Sequence, residues 1–283
     1  MPADLATLYG GPLDLRSPLV YANFVSSLDG VVALEAGRAP SGGIISGRNE
    51  ADRFVMGLLR AFADAILIGA GTVRAEGGRA LWTPEYIFPS AAEGYRALRR
   101  SLGRSESPRL VIVTARGDLS PTEPALQAGA LVLTSRATEA SLRARLPSAS
   151  QVKAVSDDGS LNILDVLRAI RDEGHQVILT EGGPHLFGQL VAARAVDELF
   201  LTLSPALAGR SRTSSLGLIQ GVDFGRKLTW AKPGKSAAGR ITSVFALPPG
   251  ARGVACPSWP SSVAPRVASA APSWMRLPNV VTR

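Results

Sequence analysis

Hydrophobic positions along the chain alternate between two periods. Short apolar runs rich in β-branched residues lie at 19–25, 65–68, 110–114, 130–134, 151–155, 177–180 and 198–203, and each predicts a strand. Between them apolar residues recur at helical spacing. Phe54, Val55, Leu58, Leu59 and Phe62 predict a helix ending near residue 63, with Ser46 as its N-cap and Asn49 and Glu50 in its first turn. Further helices are predicted at 123–128, 138–146, 162–173 and 186–193. The strands are apolar on both faces and alternate with helices, which predicts a three-layer αβα domain around a mostly parallel sheet. Residues 1–17 read as a polar lead-in broken at Gly10-Gly11-Pro12, and 31–34 as an extended segment. Residues 80–105 read as an irregular insertion, 208–239 as loops and 241–247 as a last edge strand.

With 283 residues and 46% hydrophobic content, the chain has enough apolar surface for a full core. Past residue 248 a Pro/Ala/Ser-rich composition no longer supports one, so the expected division is a domain over 1–248 and a disordered or peripheral tail over 249–283. No apolar run reaches membrane-spanning length, and residues 1–5 show no secretory leader pattern; the expectation is a soluble cytoplasmic protein. Cys256 is the single cysteine, and His175 and His185 are the only histidines. Those counts exclude a disulfide framework and argue against any cysteine or histidine metal centre, which points to an organic cofactor. Half of the net charge of +8 comes from Arg252, Arg266, Arg276 and Arg283 in the acid-free tail. The remainder shows no basic stripe interleaved with aromatics, so a nucleic-acid partner is not expected. A pocket for a phosphorylated ligand explains that charge equally well.

The candidate chemistry sits at two strand ends. In 176–188 an apolar strand ends at Thr180 and Glu181, followed by Gly182, Gly183 and Pro184 and then an apolar-periodic helix. In 65–77 another strand ends at Gly69 and Gly71, followed by Thr72. Each junction points backbone amides and the positive end of a helix at one spot, and glycine clears that spot for an anion. Two readings stay open: ordinary turns of a sheet protein, or neighbouring turns with a dinucleotide pyrophosphate across them. Neither has the six-residue G-x-G-x-x-G spacing.

Taken in order, Ser27-Leu-Asp-Gly30, Leu59-Arg60, Gly69-Ala-Gly-Thr-Val73, Glu181-Gly-Gly-Pro184, Gly188, Val196-Asp-Glu-Leu199 and 201–209 resemble the RibD C-terminal family, the reductases of riboflavin biosynthesis with a dihydrofolate-reductase-like fold. The resemblance covers roughly residues 19–247 and lacks the zinc deaminase half of the bifunctional enzymes. It implies an NADPH-dependent reductase converting the ribosyl group of a ribosylamino-pyrimidine phosphate to ribityl, working as a homodimer. The alternatives are a pteridine or dihydrofolate reductase on the same scaffold, and a non-catalytic nucleotide-binding paralogue. The resemblance further implies that Gly69, Gly71, Thr72, Glu76, Thr114, Gly182, Gly183, Pro184, His185 and Leu186 hold the cofactor, and that Ser41, Arg60 and Glu181 face the substrate. The family's substrate-phosphate arginine has no counterpart in register; Arg79 is the nearest.

Some roles follow from position. Hydride transfer needs a group that protonates or polarises the acceptor, and Asp29 and Glu181 are the candidate catalytic carboxylates at strand ends. For Asp29 the competing reading is a turn residue, since Asp-Gly is a turn dipeptide. Arg116, Ser135 and Arg136 follow neighbouring strands and are candidates for a cofactor 2′-phosphate or plain loop residues. Arg60 and Arg53 share a helix face, which suits either a bound phosphate or partners such as Asp52 and Glu50.

Overall fold

The computed structural model describes residues 1–34, 41–76, 81–157, 159–209, 215–225, 232–233 and 242–246, the last two segments by backbone alone. Arg79 and the 249–283 tail with Cys256 lie outside the described residues.

Among the described residues, eleven strands form two sheets. They are β1 (Leu19–Ser27), β2 (Val31–Ala33), β3 (Ala65–Gly69), β4 (Arg109–Val113), β5 (Leu131–Ser135), β6 (Gln151–Ser156), β7 (Val177–Thr180), β8 (Glu198–Ser204), β9 (Leu216–Gly217), β10 (Lys232–Pro233) and β11 (Thr242–Ala246). The large sheet runs β10-β11-β8-β1-β7-β3-β4-β5-β6, and its seven strands from β8 to β6 are all parallel. Helices α1 (Ala3–Tyr9), α2 (Gly42–Ile45), α3 (Glu50–Phe62), α4 (Ala70–Ala75), α5 (Pro84–Ile87), α6 (Ala92–Ser101), α7 (Pro124–Gln127), α8 (Arg136–Arg145), α9 (Ile163–Asp172) and α10 (Pro184–Ala192) complete the described helical elements. Two apolar clusters lie on opposite faces of the sheet. Leu58, Leu59, Ile66, Ile68 and Leu179 belong to one, and Leu67, Ile178, Leu167, Ile170 and Leu190 to the other. Alternate residues of β3 and β7 thus enter different clusters, as a strand covered on both sides requires. The expected αβα arrangement is present.

Several local expectations differ from the structure. Asn49, not Ser46, caps α3, because its side chain accepts from the amides of Ala51 and Asp52. Residues 3–9 are a helix whose Leu5 is fully buried. The 80–105 segment carries α5 and α6, and Tyr95, Leu98 and Arg99 of α6 are buried beside α3. Its charged residues masked the apolar periodicity: Arg99 turns inward and donates to the carbonyls of Arg60, Ala61 and Ala63 at the end of α3. Residues 31–33 leave β1 and pair with β9 in the small sheet. Strand β11 lies on β8 but is not the edge, since β10 pairs outside it.

The strand order places β7 between β1 and β3. Chain runs from β3 outward to β6, then returns to insert β7 beside β1. That reversal leaves a crevice at the carboxyl ends of the central strands, where ligands of such sheets bind.

The α3–α6 contact yields a stability prediction. A Cβ on Gly57 would lie 2.6 Å from Tyr95 Oη, which itself donates to the Phe54 carbonyl. Alanine is the better helix former by about 1 kcal/mol. Overpacking typically costs about 1–3 kcal/mol, and the Tyr95 hydrogen bond is worth about 1 kcal/mol more. Gly57→Ala is therefore expected to destabilise the fold by about 1–3 kcal/mol in urea unfolding; an unchanged midpoint would refute the packing argument.

Candidate active site

The carboxyl ends of β1, β7, β3 and β4 open into one cleft of about 1270 Å³. Its floor is where the two glycine turns meet. Strand β3 pairs with β7, Leu67 beside Thr180. The Thr180 hydroxyl donates to the Leu67 carbonyl at 3.1 Å and accepts from the Gly182 amide at 3.3 Å. Gly69 is the N-cap of α4 and Gly183 that of α10, and neither helix is capped by a side chain. The amides of His185 and Leu186 fall in the first turn of α10, where the helix offers no acceptor. No acidic residue lies in that turn. An anion at this floor meets a positive dipole end without competition.

The glycines serve different ends. A Cβ on Gly182 would come within 2.5 Å of Leu186 Cδ2, so glycine there permits close packing of the turn on its own helix. A Cβ on Gly183 would meet nothing nearer than Thr72 Oγ1 at 3.5 Å. Gly183 therefore has room toward the cleft. Gly188 has a third role: a Cβ would sit 2.8 Å from the Gln220 carbonyl, so its absence lets residues 219–222 close on α10.

Beside this floor lies a buried ion pair. Arg60 Nη2 meets Glu181 Oε2 at 2.7 Å, and Arg60 Nε reaches both carboxylate oxygens at 3.0 and 3.2 Å. The two side chains are 6% and 8% exposed. Arg60 Nη1 donates to the carbonyls of Leu81 and Thr83, so the guanidinium fork is nearly filled by protein. Asp52 and Glu76 line the same cleft. Burial pushes the Glu76 carboxyl up; Arg60 opposes this and the Glu181 charge adds to it. Burial also pushes Asp52 up, helped by Glu181 and opposed by the hydroxyls of Thr202 and Ser46.

Most of the expected site residues lie in this cleft. Gly69, Gly71, Thr72, Glu76, Thr114 and Arg116 line one flank, and Gly182, Gly183, Pro184, His185 and Leu186 the floor. Ser41, Arg60 and Glu181 line it too, although Arg60 and Glu181 are spent on each other. Asp29 is not among the lining residues. Its carboxylate accepts from the Ser27 hydroxyl and the amides of Ala208 and Gly209, which hold it down to about 2. The turn reading describes Asp29. Ser135 is also outside the cleft, buried at the start of α8 against the Thr138 hydroxyl, and Arg136 pairs with Glu139 and Asp157. Arg53 pairs with neither Asp52 nor Glu50; its Nε donates to the Ile87 carbonyl. Asp52 is the residue sequence reasoning missed as a site member. The signal was present: Asp52, Met56 and Arg60 recur every four residues, which stacks them on one helix face.

Comparison with known proteins gives this geometry a family. The RibD C-terminal domain matches residues 18–233. The chain belongs to that family. Over 194 residues it is 27% identical to the 2,5-diamino-6-ribosylamino-4(3H)-pyrimidinone 5′-phosphate reductase of Archaeoglobus fulgidus, covering 68% of this chain and 82% of that one. Among solved structures, a pyrimidine reductase-like protein from Corynebacterium diphtheriae shares the fold, with a TM-score of 0.65 at 22% identity over 86% of this chain and 98% of the other. The Thermotoga maritima diaminohydroxyphosphoribosylaminopyrimidine deaminase/5-amino-6-(5-phosphoribosylamino)uracil reductase shares it with a TM-score of 0.57 at 21% identity. There the match covers 82% of this chain but 57% of that longer one. The RibD-type reductase scaffold is thus shown. No helix among the described residues is long and apolar enough to cross a membrane, and no described cluster of three or more His, Cys, Asp or Glu residues is suited to a metal ion.

Two predictions follow from the cleft floor. Removing one member of a buried ion pair strands the other charge, at a cost of about 3–5 kcal/mol, whereas apolar replacement of both is often nearly neutral. Arg60→Leu is expected to lose that much stability in chemical unfolding, and the Arg60→Leu/Glu181→Leu double variant to regain most of it; additive losses would contradict the pairing. The second concerns pH. Asp52 is raised in the folded state above about 4, its unfolded value. Between those two values the folded chain binds more protons, so stability falls as pH rises through the window. Asp52→Asn removes this loss. The variant should melt higher than the parent at pH 7, with the difference vanishing as pH drops below about 4; a pH-independent difference would refute the assignment.

Proposed function

We propose that the protein is an NADPH-dependent reductase of a ribosylamino-pyrimidine phosphate, converting ribosyl to ribityl in riboflavin biosynthesis. The observation that carries this reading is the paired glycine floor beside a buried Arg60–Glu181 pair in a cleft of about 1270 Å³. Both flanking helix N-termini are uncapped by side chains and Gly183 leaves room toward the cleft, which fits a pyrophosphate. NADPH, when bound, supplies the hydride.

The chain's own groups do the rest. The amides at the start of α10 hold the pyrophosphate, with Gly71, Thr72 and His185 around it. Arg116, past β4 and exposed in the cleft wall, reads the 2′-phosphate. Glu181, locked by Arg60, presents a fixed carboxylate to the pyrimidine, and Ser41 lies on the substrate side. Reduction would deliver one hydride to the ribosyl C1′ as its bond to the ring oxygen breaks, and one proton to that oxygen. Asp52 and Glu76, both held toward their protonated forms, are the groups placed to hold that proton. The named relatives act on phosphorylated ribosylaminopyrimidines, which supports this substrate class. A homodimer in the cytoplasm completes the reading. Among the described residues the large sheet ends at β6 and the two-residue β10, and light scattering decides the oligomer.

The test is NADPH oxidation with the ribosylamino-pyrimidine phosphate and dihydrofolate in parallel. Turnover of the former alone is expected; turnover of dihydrofolate alone would transfer the protein to folate chemistry, and binding without turnover of either would make it a non-catalytic paralogue. Two variants examine the cofactor. Arg116→Ala should weaken NADPH about tenfold to a hundredfold while leaving NADH affinity in place. Gly183→Val should lose both nucleotides in a folded protein, and retained affinity would make the turn purely structural.

A further inference from the structure

Residues 115–118, just past β4, stand between the cleft and α8. Ala115, Arg116 and Asp118 are exposed and line the cleft, whereas Gly117 between them is buried. Gly117 has φ +67, and a Cβ there would lie 2.5 Å from Thr138 Cγ2 and 3.2 Å from Leu142 Cγ. Glycine is thus required twice, by the left-handed backbone and by the approach of α8. Thr138, Leu142 and Arg145 recur at helical spacing and so share one face of α8. That face is the seat on which the loop rests.

Hydrogen bonds hold the loop on this seat from end to end. The Thr138 hydroxyl donates to the Ala115 carbonyl at 2.9 Å, which leaves it to accept from the Ser135 hydroxyl at 3.1 Å. Arg145 Nη2 donates to the Gly117 carbonyl. The Gly117 amide donates to the Thr114 hydroxyl at 3.0 Å, and the Thr134 hydroxyl to the Thr114 carbonyl at 2.7 Å. From the cleft side, Arg74 Nη1 donates to the Asp118 carbonyl at 2.8 Å. The Arg116 side chain takes no part, and among the described residues it pairs with no carboxylate. Its position is set by the backbone beneath it. Ser135 and Thr138, outside the cleft, therefore act on the cleft wall through this loop.

We propose that Gly117 is a positioning residue for nucleotide discrimination. By seating residues 115–118 on Thr138, Leu142 and Arg145, it holds Arg116 at the cleft wall, ready for the 2′-phosphate that separates NADPH from NADH. The proposal rests on the reading of Arg116 given above and adds that the preference depends on the seat as well as on the guanidinium. A loop and an arginine that must be ordered on binding give up affinity, and a preformed bracket avoids that loss. A side chain at 117 lifts the loop from α8, so its effect falls on the ligand that carries the 2′-phosphate.

The test is calorimetry on the full chain with two ligand pairs, NADPH against NADH and adenosine 2′,5′-bisphosphate against 5′-AMP. The members of each pair differ only in the 2′-phosphate. Gly117→Ala should lower the preference for the 2′-phosphorylated member by about twofold to tenfold, the loss expected when such a side chain must be ordered on binding. Thr138→Val keeps the bulk of the seat but removes the donor to Ala115; it should shift the preference the same way, and it carries the test if the Gly117 variant does not fold. In an Arg116→Ala background neither substitution should move the preference further, because no guanidinium is left to place. A merely structural role would lower the melting temperature and weaken both members of each pair alike. That result overturns the proposal, as does a parental preference in the folded variants or an additive loss in the Arg116→Ala background; the reading of Arg116 then stands without it. If the parent binds both members of each pair equally, the reading of Arg116 fails and takes the proposal with it.

Discussion

The cleft is organised by an ion pair that is almost wholly withdrawn from water. Arg60 comes from the last turn of α3 and Glu181 from the first residue past β7, so the pair ties a helix of one layer to the centre of the sheet. A charge withdrawn from water on one side alone is costly, which makes the two groups mutually obligatory. Neighbours follow from this. Arg60 draws in the carbonyls of Leu81 and Thr83 and so fixes the segment entering α5. Arg99 collects the α3 carbonyls at 60, 61 and 63 and holds the helix end that carries Arg60. Burial raises Asp52 and Glu76, and the Glu181 charge adds to the rise in both.

The second constraint is backbone rather than charge. Thr180 links β7 to β3 with its hydroxyl and receives the Gly182 amide, so the two glycine turns keep a fixed spacing. The three glycines after β7 show that one residue type answers separate demands: Gly182 yields to Leu186, Gly188 to the Gln220 carbonyl, and Gly183 leaves space on the cleft side. A floor built from main chain is insensitive to side-chain mobility. Such a floor suits an anionic group.

Much of this was legible in the sequence. Strands apolar on both faces announced a covered parallel sheet, and the two glycine turns announced the end of it where the cleft opens. What escaped was decided by distant partners. Segment 80–105 looked irregular because Arg99 occupies a buried position that pattern reading assigns to solvent; its role appears only once the α3 carbonyls face it. Asp29 looked catalytic because a carboxylate at a strand end suits proton transfer, but the amides of residues 208 and 209, remote in sequence, claim it. Ser46 lost the cap to Asn49, three residues on, whose side chain accepts from the Ala51 and Asp52 amides. Asp52 was hidden by its neighbours, since an acid in a first helical turn has a sufficient local explanation in the dipole.

The strand order has a consequence for the order of assembly. β1 and β3 are separated in the finished sheet by β7, whose first residue, Val177, lies more than a hundred residues past Gly69 at the end of β3. Until residue 180 has emerged from the ribosome, β1 has no parallel partner on either side, because β8 comes later still. The growing chain therefore carries two unclosed hydrophobic strand edges through most of translation, a state open to premature pairing with other chains. Closure by one late strand also makes the active cleft an all-or-nothing product. The same insertion brings Glu181 to Arg60, so the ion pair of the cleft forms only when β7 has joined β1 to β3.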